Sequence, residues 1–217
     1  MIEKLIREKK LNLQTKTPAT RIESQPDGRT KIVTDRGIIV AKHLILATNA
    51  YTSHLVPSFS DLIVPVRGTM TALVPPASMK ERLPASYGFV GAMGQAANMD
   101  DYLIQRPFKD VPNPAGHLMF GGGGGFGSRQ RIGTADDSVL DEGSAAFLRG
   151  ALLKLMSLGD GKDGQRELEA AGQWTGIMGY SRDNHPWVGE IPDFPNVWLC
   201  AGYTGKSCPS LSSSVCF

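Results

Sequence analysis

A short, nearly continuous apolar run at residues 43–47 ends abruptly in small and polar residues at 48–52. Its length and composition are typical of a strand that is buried on both faces of a sheet. Ligands in open α/β sheets bind beyond the carboxyl ends of such strands. The run therefore predicts an α/β portion with a ligand-binding edge directly after residue 47.

Strand-like segments outnumber helical ones in the rest of the chain. Turn-forming residues separate three segments that predict an antiparallel meander, at 18–24, 30–34 and 38–41. A long strand at 63–74 begins a second region, which has further strand-like segments at 87–90, 101–105, 117–120, 172–179 and 196–201. Helical spacing of apolar residues predicts helices over 2–10 and 138–157. The expected fold class is α/β plus α+β.

The charge balance excludes several classes of partner. The chain has 23 Lys and Arg against 21 Asp and Glu, and these charges are scattered. Nucleic acids and anionic membranes bind clustered basic patches, so neither partner is expected. No apolar run suggests a signal peptide or a membrane span, and three cysteines argue against a disulfide framework. We expect a cytoplasmic protein, and the sequence leaves its oligomeric state open.

The glycine-rich segment at 121–127 formally contains the G-x-G-x-x-G pattern of dinucleotide-binding loops. That pattern binds a pyrophosphate only where a helix begins directly after the loop. Residues 128–134 lack amphipathic helical spacing, and Glu142 lies inside the predicted helix rather than after a second strand. We therefore interpret the five consecutive glycines as a turn.

Other local motifs of catalysis are absent from the sequence. The four histidines lie apart from one another and from clusters of Cys or acidic residues. Neither a Walker loop nor a Gly-x-Ser-x-Gly elbow occurs. The sequence therefore predicts no self-contained nucleophile, metal site or phosphate site.

Several ordered segments together resemble one family of enzymes. They are 12–18, 36–41, 47–52, 65–70, 174–189 and 199–205. In this order and spacing they are similar to FAD-dependent oxidoreductases of the D-amino-acid oxidase and glycine oxidase type, and most similar to the fungal members. The resemblance implies FAD as cofactor and a small-molecule amine or amino acid as substrate. It also implies hydride transfer from the substrate to the flavin, with dioxygen as the final acceptor.

The resemblance implies cofactor contacts at two places. One is the strand end at Ala47, Thr48 and Asn49, although an ordinary strand-to-loop turn would have the same composition. The other would lie beside the flavin ring and consists of Gly202, Tyr203, Thr204 and Gly205. There the glycines would let backbone N–H groups approach a flavin carbonyl.

The resemblance also implies a substrate-facing group, which consists of Tyr102, Arg106, Met178 and Arg182. The two arginines could equally be solvated surface charges. Bacterial amino-acid oxidases of the family carry, at the position of Met178, an arginine that pairs with the substrate carboxylate. A thioether cannot form that pair, so a simple amino-acid substrate is not favoured.

The resemblance implies four parts of the chain. These are a partial FAD-binding domain at 1–64, a substrate domain with an antiparallel sheet and helix at 65–195, a return strand at 196–205 and an atypical tail at 206–217. The family's dinucleotide fingerprint would precede residue 1, so we expect an N-terminally truncated member with an incomplete FAD-binding domain. Two hypotheses follow: an FAD-dependent oxidoreductase, or a truncated, non-catalytic or partner-dependent remnant that aggregates readily.

Overall fold

The computed structural model describes residues 1–96, 100–108, 116–156, 158 and 166–205. The chain divides into two compact units. The first unit contains Met1–Ile63 and the chain from Gly179 onward, and the second contains Val64–Met178. Each unit has its own sheets and its own hydrophobic core.

The secondary structure consists mainly of strands. In chain order the strands are β1 Ala19–Ser24, β2 Thr30–Thr34, β3 Gly37–Ala41, β4 Leu44–Leu46, β5 Ile63–Leu73, β6 Tyr87–Val90, β7 Asp100–Gln105, β8 Leu118–Gly122, β9 Ala170–Ser181, β10 Trp187–Glu190 and β11 Val197–Ala201. The α-helices are α1 Ile2–Arg7, α2 Thr52–Leu55 and α3 Glu142–Leu155. Short 3-10 turns occur at Asn49–Tyr51, Pro57–Phe59, Ala92–Gly94 and Arg129–Arg131.

The first unit contains two small sheets. Strands β1, β2 and β3 form the predicted antiparallel meander. The second sheet has the order β10-β11-β4, in which β11 runs parallel to β4 and antiparallel to β10. Both sheets contribute to one core, which includes Ile22, Ile32, Leu46, Val56, Ile63, Val197 and Leu199. This arrangement fixes the direction in which the ends of β4 and β11 point.

Strand β4 is not buried on both faces, so that prediction was wrong. Leu46 is 3% exposed and packs in the core, whereas Ile45 is 69% exposed. Only the face that carries Leu46 packs against the core. A continuous apolar run cannot distinguish this arrangement from a strand that is covered on both sides.

The second unit is built on one five-stranded sheet with the order β6-β7-β8-β5-β9. Its antiparallel pairs are β6 with β7, β7 with β8, and β8 with β5. Helix α3 packs on one face of this sheet, and the shared core includes Leu73, Leu103, Leu118, Phe120, Leu148 and Leu152. Alternate residues of the strands therefore form a covered face and an opposite face.

Helix α3 begins later than the sequence predicted. Asp141 is its N-cap, because the Asp141 carboxylate accepts a hydrogen bond from the Ser144 backbone N–H at 2.9 Å. The same carboxylate accepts a bond from the Ser128 N–H at 2.8 Å. The cap therefore joins the helix start to the loop that follows the glycine run.

The glycine run is only partly a turn. Gly121 and Gly122 belong to β8, and the turn begins at Gly123. A side-chain carbon at Gly121 would displace the Met70 thioether and the end of the Tyr102 ring from their observed positions. Helix α3 begins well after the run, which supports rejection of the dinucleotide-binding interpretation.

The compact units are bounded differently from the predicted domains. The chain passes from the first unit to the second between Ile63 and Val64, next to the predicted boundary. The chain returns to the first unit between Met178 and Gly179, whereas the sequence analysis placed this return at residue 196. The difference arises because β10 pairs with β11 and therefore belongs to the sheet of the first unit. The assignment of the units to cofactor and substrate remains a prediction.

No helix in the described part of the chain is long and apolar enough to cross a membrane. Among the same residues, no group of three or more His, Cys, Asp or Glu side chains could hold a metal ion.

Candidate functional site

The carboxyl ends of β4 and β11 meet at one edge of the sheet in the first unit. The two strands are parallel, with Leu46 opposite Leu199, so the chain leaves both strands on the same side. The residues that follow them are all the predicted cofactor-binding ones: Ala47, Thr48, Asn49, Gly202, Tyr203, Thr204 and Gly205. The structure thus brings together two segments that are far apart in the sequence.

Asn49 joins these two segments directly. Its side-chain oxygen accepts hydrogen bonds from the backbone N–H of Gly202 at 3.0 Å and of Tyr203 at 3.4 Å. The Asn49 backbone has a φ of +43°, in the left-handed region that Asn tolerates better than most residues. The Asn49 side chain therefore links the segment after β4 to the loop after β11.

A third segment, the end of β9, completes this cluster. The Thr204 N–H donates to the Gly179 carbonyl at 2.8 Å, and the Ser181 N–H donates to the Thr204 hydroxyl at 3.1 Å. The two hydroxyl oxygens of Ser181 and Thr204 are 3.0 Å apart. The loop at 202–204 is consequently held from two sides.

Backbone donors of this loop are occupied within the protein. The N–H groups of Gly202, Tyr203 and Thr204 donate to Asn49 or to Gly179, as described above. The approach of backbone N–H groups to a flavin carbonyl at Gly202 and Gly205 stays a prediction. Glycine is still required at 202, where φ is +75° and an added side-chain carbon would lie 3.3 Å from Ile63, Ser181 and Trp187.

The exposed part of the cluster is small and uncharged. Ala47 and Gly205 are exposed, Thr48 is half-buried, and Gly202, Tyr203 and Thr204 are buried. The Thr48 and Thr52 hydroxyl oxygens are 2.9 Å apart, which fixes the first turn after β4. A ligand at this edge would therefore meet a neutral surface of small side chains.

Tyr203 is paired with Cys200, the penultimate residue of β11. Its hydroxyl oxygen lies 2.7 Å from Cys200 Sγ. Burial of the phenol, with a further contribution from the Cys200 contact, raises the pKa of Tyr203 to about 12. Tyr203 is therefore neutral near pH 7 and contributes no charge to the cluster.

The predicted substrate residues do not all lie in one unit. Tyr102 and Met178 belong to the second unit, on the face of the sheet opposite α3. The Tyr102 hydroxyl donates a hydrogen bond to Met70 Sδ at 2.9 Å. Met178 lies against Gly68. Arg106 follows β7 and is half-buried. Arg182 belongs to the first unit, where its backbone N–H donates to the Leu62 carbonyl.

Sequence reasoning missed several residues that shape these places. Gly179 and Ser181 support the loop after β11, and Met70 and Gly121 support Tyr102. Their partners are distant in the sequence, so no local pattern indicates the contacts. The available signal was the presence of Met70, Gly179 and Ser181 in segments that resemble the family.

Comparisons with known proteins agree with this fold. NikD, an unusual amino acid oxidase essential for nikkomycin biosynthesis, superposes in its open form with a TM-score of 0.68 at 17% identity, over 94% of this chain and 50% of that chain. Glycine oxidase from Geobacillus kaustophilus gives a TM-score of 0.56 at 22% identity, over 87% and 43% of the two chains. Amadoriase I from Aspergillus fumigatus, a fructosyl amine: oxygen oxidoreductase, gives 0.62 at 13% identity, over 90% and 43%.

These solved structures establish a shared fold, and the chain spans about half of their length. A comparison with curated protein sequences gives no match. The family model described as "DAO: FAD dependent oxidoreductase" matches residues 2–209. The match covers nearly the whole chain, and the chain therefore belongs to the DAO family of FAD dependent oxidoreductases.

Proposed function

We propose that this chain is part of a flavoenzyme that oxidises a C–N bond of an amine or amino acid. When bound, FAD would accept a hydride from the substrate carbon next to nitrogen and pass the electrons to dioxygen. The observation behind the proposal is the meeting of two candidate cofactor segments at the carboxyl ends of the parallel strands β4 and β11. That position is where α/β sheets bind their ligands.

The residues at this edge fit the neutral ring of a flavin better than its phosphates. Ala47, Thr48 and Gly205 offer small, uncharged surface, and at the buried Gly202 an added side-chain carbon would crowd Ile63, Ser181 and Trp187. Tyr203 adds no charge near pH 7, because its pKa is raised to about 12 by burial. A diphosphate binds best to cations together with N–H donors, and none of these residues carries a charge.

We also propose that Tyr102, Arg106, Met178 and Arg182 contribute to substrate binding. The face of the second unit that carries Tyr102 and Met178 also exposes Ile104 and Trp174. Such a face suits the apolar part of an amine, and Met178 offers no cation for a carboxylate. The similar proteins include enzymes named for glycine, for fructosyl amines and for amino acids, so these three substrate classes belong in a screen.

A visible absorbance titration of the full chain with FAD tests cofactor binding. Gly202→Ala should weaken FAD binding at least about tenfold, since the added carbon would be strained and crowded. Gly28→Ala is the matched control: Gly28 has a similar φ of +78° in the same unit, and its nearest neighbouring atom is 3.9 Å from the added carbon. A folded chain that takes up no FAD would contradict the proposal.

Anaerobic addition of each amine to the FAD-loaded chain tests the reaction. Loss of the oxidised flavin absorbance, restored by air, is the expected result for at least one substrate class. FAD binding without reduction by any amine would favour the second hypothesis, a non-catalytic or partner-dependent remnant of such an enzyme.

A further inference from the structure

Asn49 has an unusual position among the three segments of the cluster. Its side-chain oxygen accepts from two consecutive backbone N–H groups, at Gly202 and Tyr203, across a sequence separation of more than 150 residues. The same oxygen lies 2.7 Å from the position that a side-chain carbon on Gly179 would take. Asn49, which follows β4, therefore contacts both the 202–204 loop and the end of β9.

Two independent requirements restrict the residue type at position 49. The backbone φ of +43° disfavours residues other than Gly, Asn and Asp. The two N–H groups need a side-chain acceptor, since Gly202 and Tyr203 are both buried. Asn and Asp meet both requirements, whereas glycine meets the first alone and alanine meets neither.

We infer that Asn49 is a positioning residue, whose side-chain oxygen holds the 202–204 loop in its observed conformation. This role is separate from the FAD contact that the resemblance implied for Asn49, which stays a prediction. The consequence for flavin binding rests on the proposed function. The effect on the loop itself does not, so the two can be tested separately.

Amide hydrogen exchange of the full chain, resolved to single residues, tests the inference. In Asn49→Gly the backbone strain is relieved and the acceptor is lost, so the Gly202 and Tyr203 amides should exchange about fivefold faster or more. In Asn49→Asp the acceptor is kept, and exchange at both amides should stay within about twofold of the wild type. The matched control is Asn184→Gly, because Asn184 is exposed and also left-handed, with a φ of +62°.

Global unfolding would change all amides, so the Leu199 amide in β11 serves as the internal reference. Unchanged exchange at Gly202 and Tyr203 in Asn49→Gly would overturn the inference, and so would equally fast exchange in Asn49→Asp. FAD titration of the same variants gives the second readout: Asn49→Gly should bind at least about fivefold more weakly, with affinity recovered in Asn49→Asp. Absence of FAD binding by the wild type would contradict the proposed function, and the exchange data would still decide the role of Asn49.

Discussion

A side-chain carbon on Gly179 would lie 2.7 Å from Asn49 Oδ1 and 2.9 Å from the Ala50 backbone nitrogen. The second distance involves backbone, which cannot move aside as a flexible side chain can. The two segments therefore approach each other more closely than any residue with a Cβ allows. This approach lets the Gly179 carbonyl accept the Thr204 N–H.

We expect Gly179→Ala to destabilise the protein by about 1–3 kcal/mol, the usual cost of overpacking. Urea unfolding followed by circular dichroism would measure the loss. Gly176→Ala is the matched control, because Gly176 lies on the same strand and has no neighbouring atom within 4 Å of an added carbon. Equal stability of the two variants would contradict the close packing at Gly179.

Tyr203 should make the stability pH-dependent in the alkaline range. Its pKa is raised from 10.0 to about 12 by burial first and by the Cys200 contact second. The unfolded chain therefore loses this proton at lower pH than the folded chain, and the stabilisation that is complete below pH 10 is lost as the pH rises towards 12. The slope between these values is at most about 1.4 kcal/mol per pH unit.

The measurement is the difference in free energy of unfolding between the wild type and Tyr203→Phe at several pH values. The difference should change between pH 10 and 12 and be constant below that range. A tyrosinate absorbance titration of the two proteins gives an independent reading of the same pKa. If both proteins lose stability with the same slope, Tyr203 titrates normally and the predicted burial effect is wrong.

Local patterns predicted most of the strands, and contacts across the chain explain what they missed. The meander was predicted from the turn residues near Gly28 and Gly37, and β5 was predicted as one long strand-like segment. The exposure of Ile45 depends on what packs over β4, which no window of the sequence contains. The return of the chain at Gly179 depends on the pairing of β10 with β11.

The sequence predicted which residues belong to the candidate site, but it did not predict the hydrogen bonds that hold them together. Resemblance to the family indicated both Asn49 and Gly202, yet their hydrogen bond joins residues 153 positions apart. Its existence follows from the parallel register of Leu46 with Leu199, which places the two chain ends side by side. A sequence pattern contains residue types and spacings, whereas this bond is a consequence of the sheet order.

Asp101 should be essential to the second unit. It is 1% exposed, and its carboxylate accepts the Gly123 N–H at 2.7 Å and the Gln95 side-chain amide at 2.7 Å. Asp101→Ala would leave the buried Gly123 N–H and the half-buried Gln95 amide without this acceptor, at a cost of about 2–4 kcal/mol. Asp101→Asn retains an oxygen for Gly123 and should cost less. Urea unfolding measures both, with the exposed Asp137→Ala as control; equal stability of all three variants would contradict the role of Asp101.

Asp141 should stabilise the second unit in a pH-dependent manner. Burial raises the pKa of Asp141, but the backbone N–H groups of Ser144 and Ser128 lower it more, so the folded value lies below 3.8. The stabilisation is therefore complete above that pH and is lost as the pH falls through the folded pKa. We expect Asp141→Ala to cost about 1–2 kcal/mol near neutral pH, and Asp141→Asn to cost less because Asn is also a good N-cap.

On acidification the wild type should lose stability relative to Asp141→Asn, since the amide does not titrate. Parallel unfolding curves of these two proteins from neutral to acid pH would contradict a depressed pKa at the start of α3.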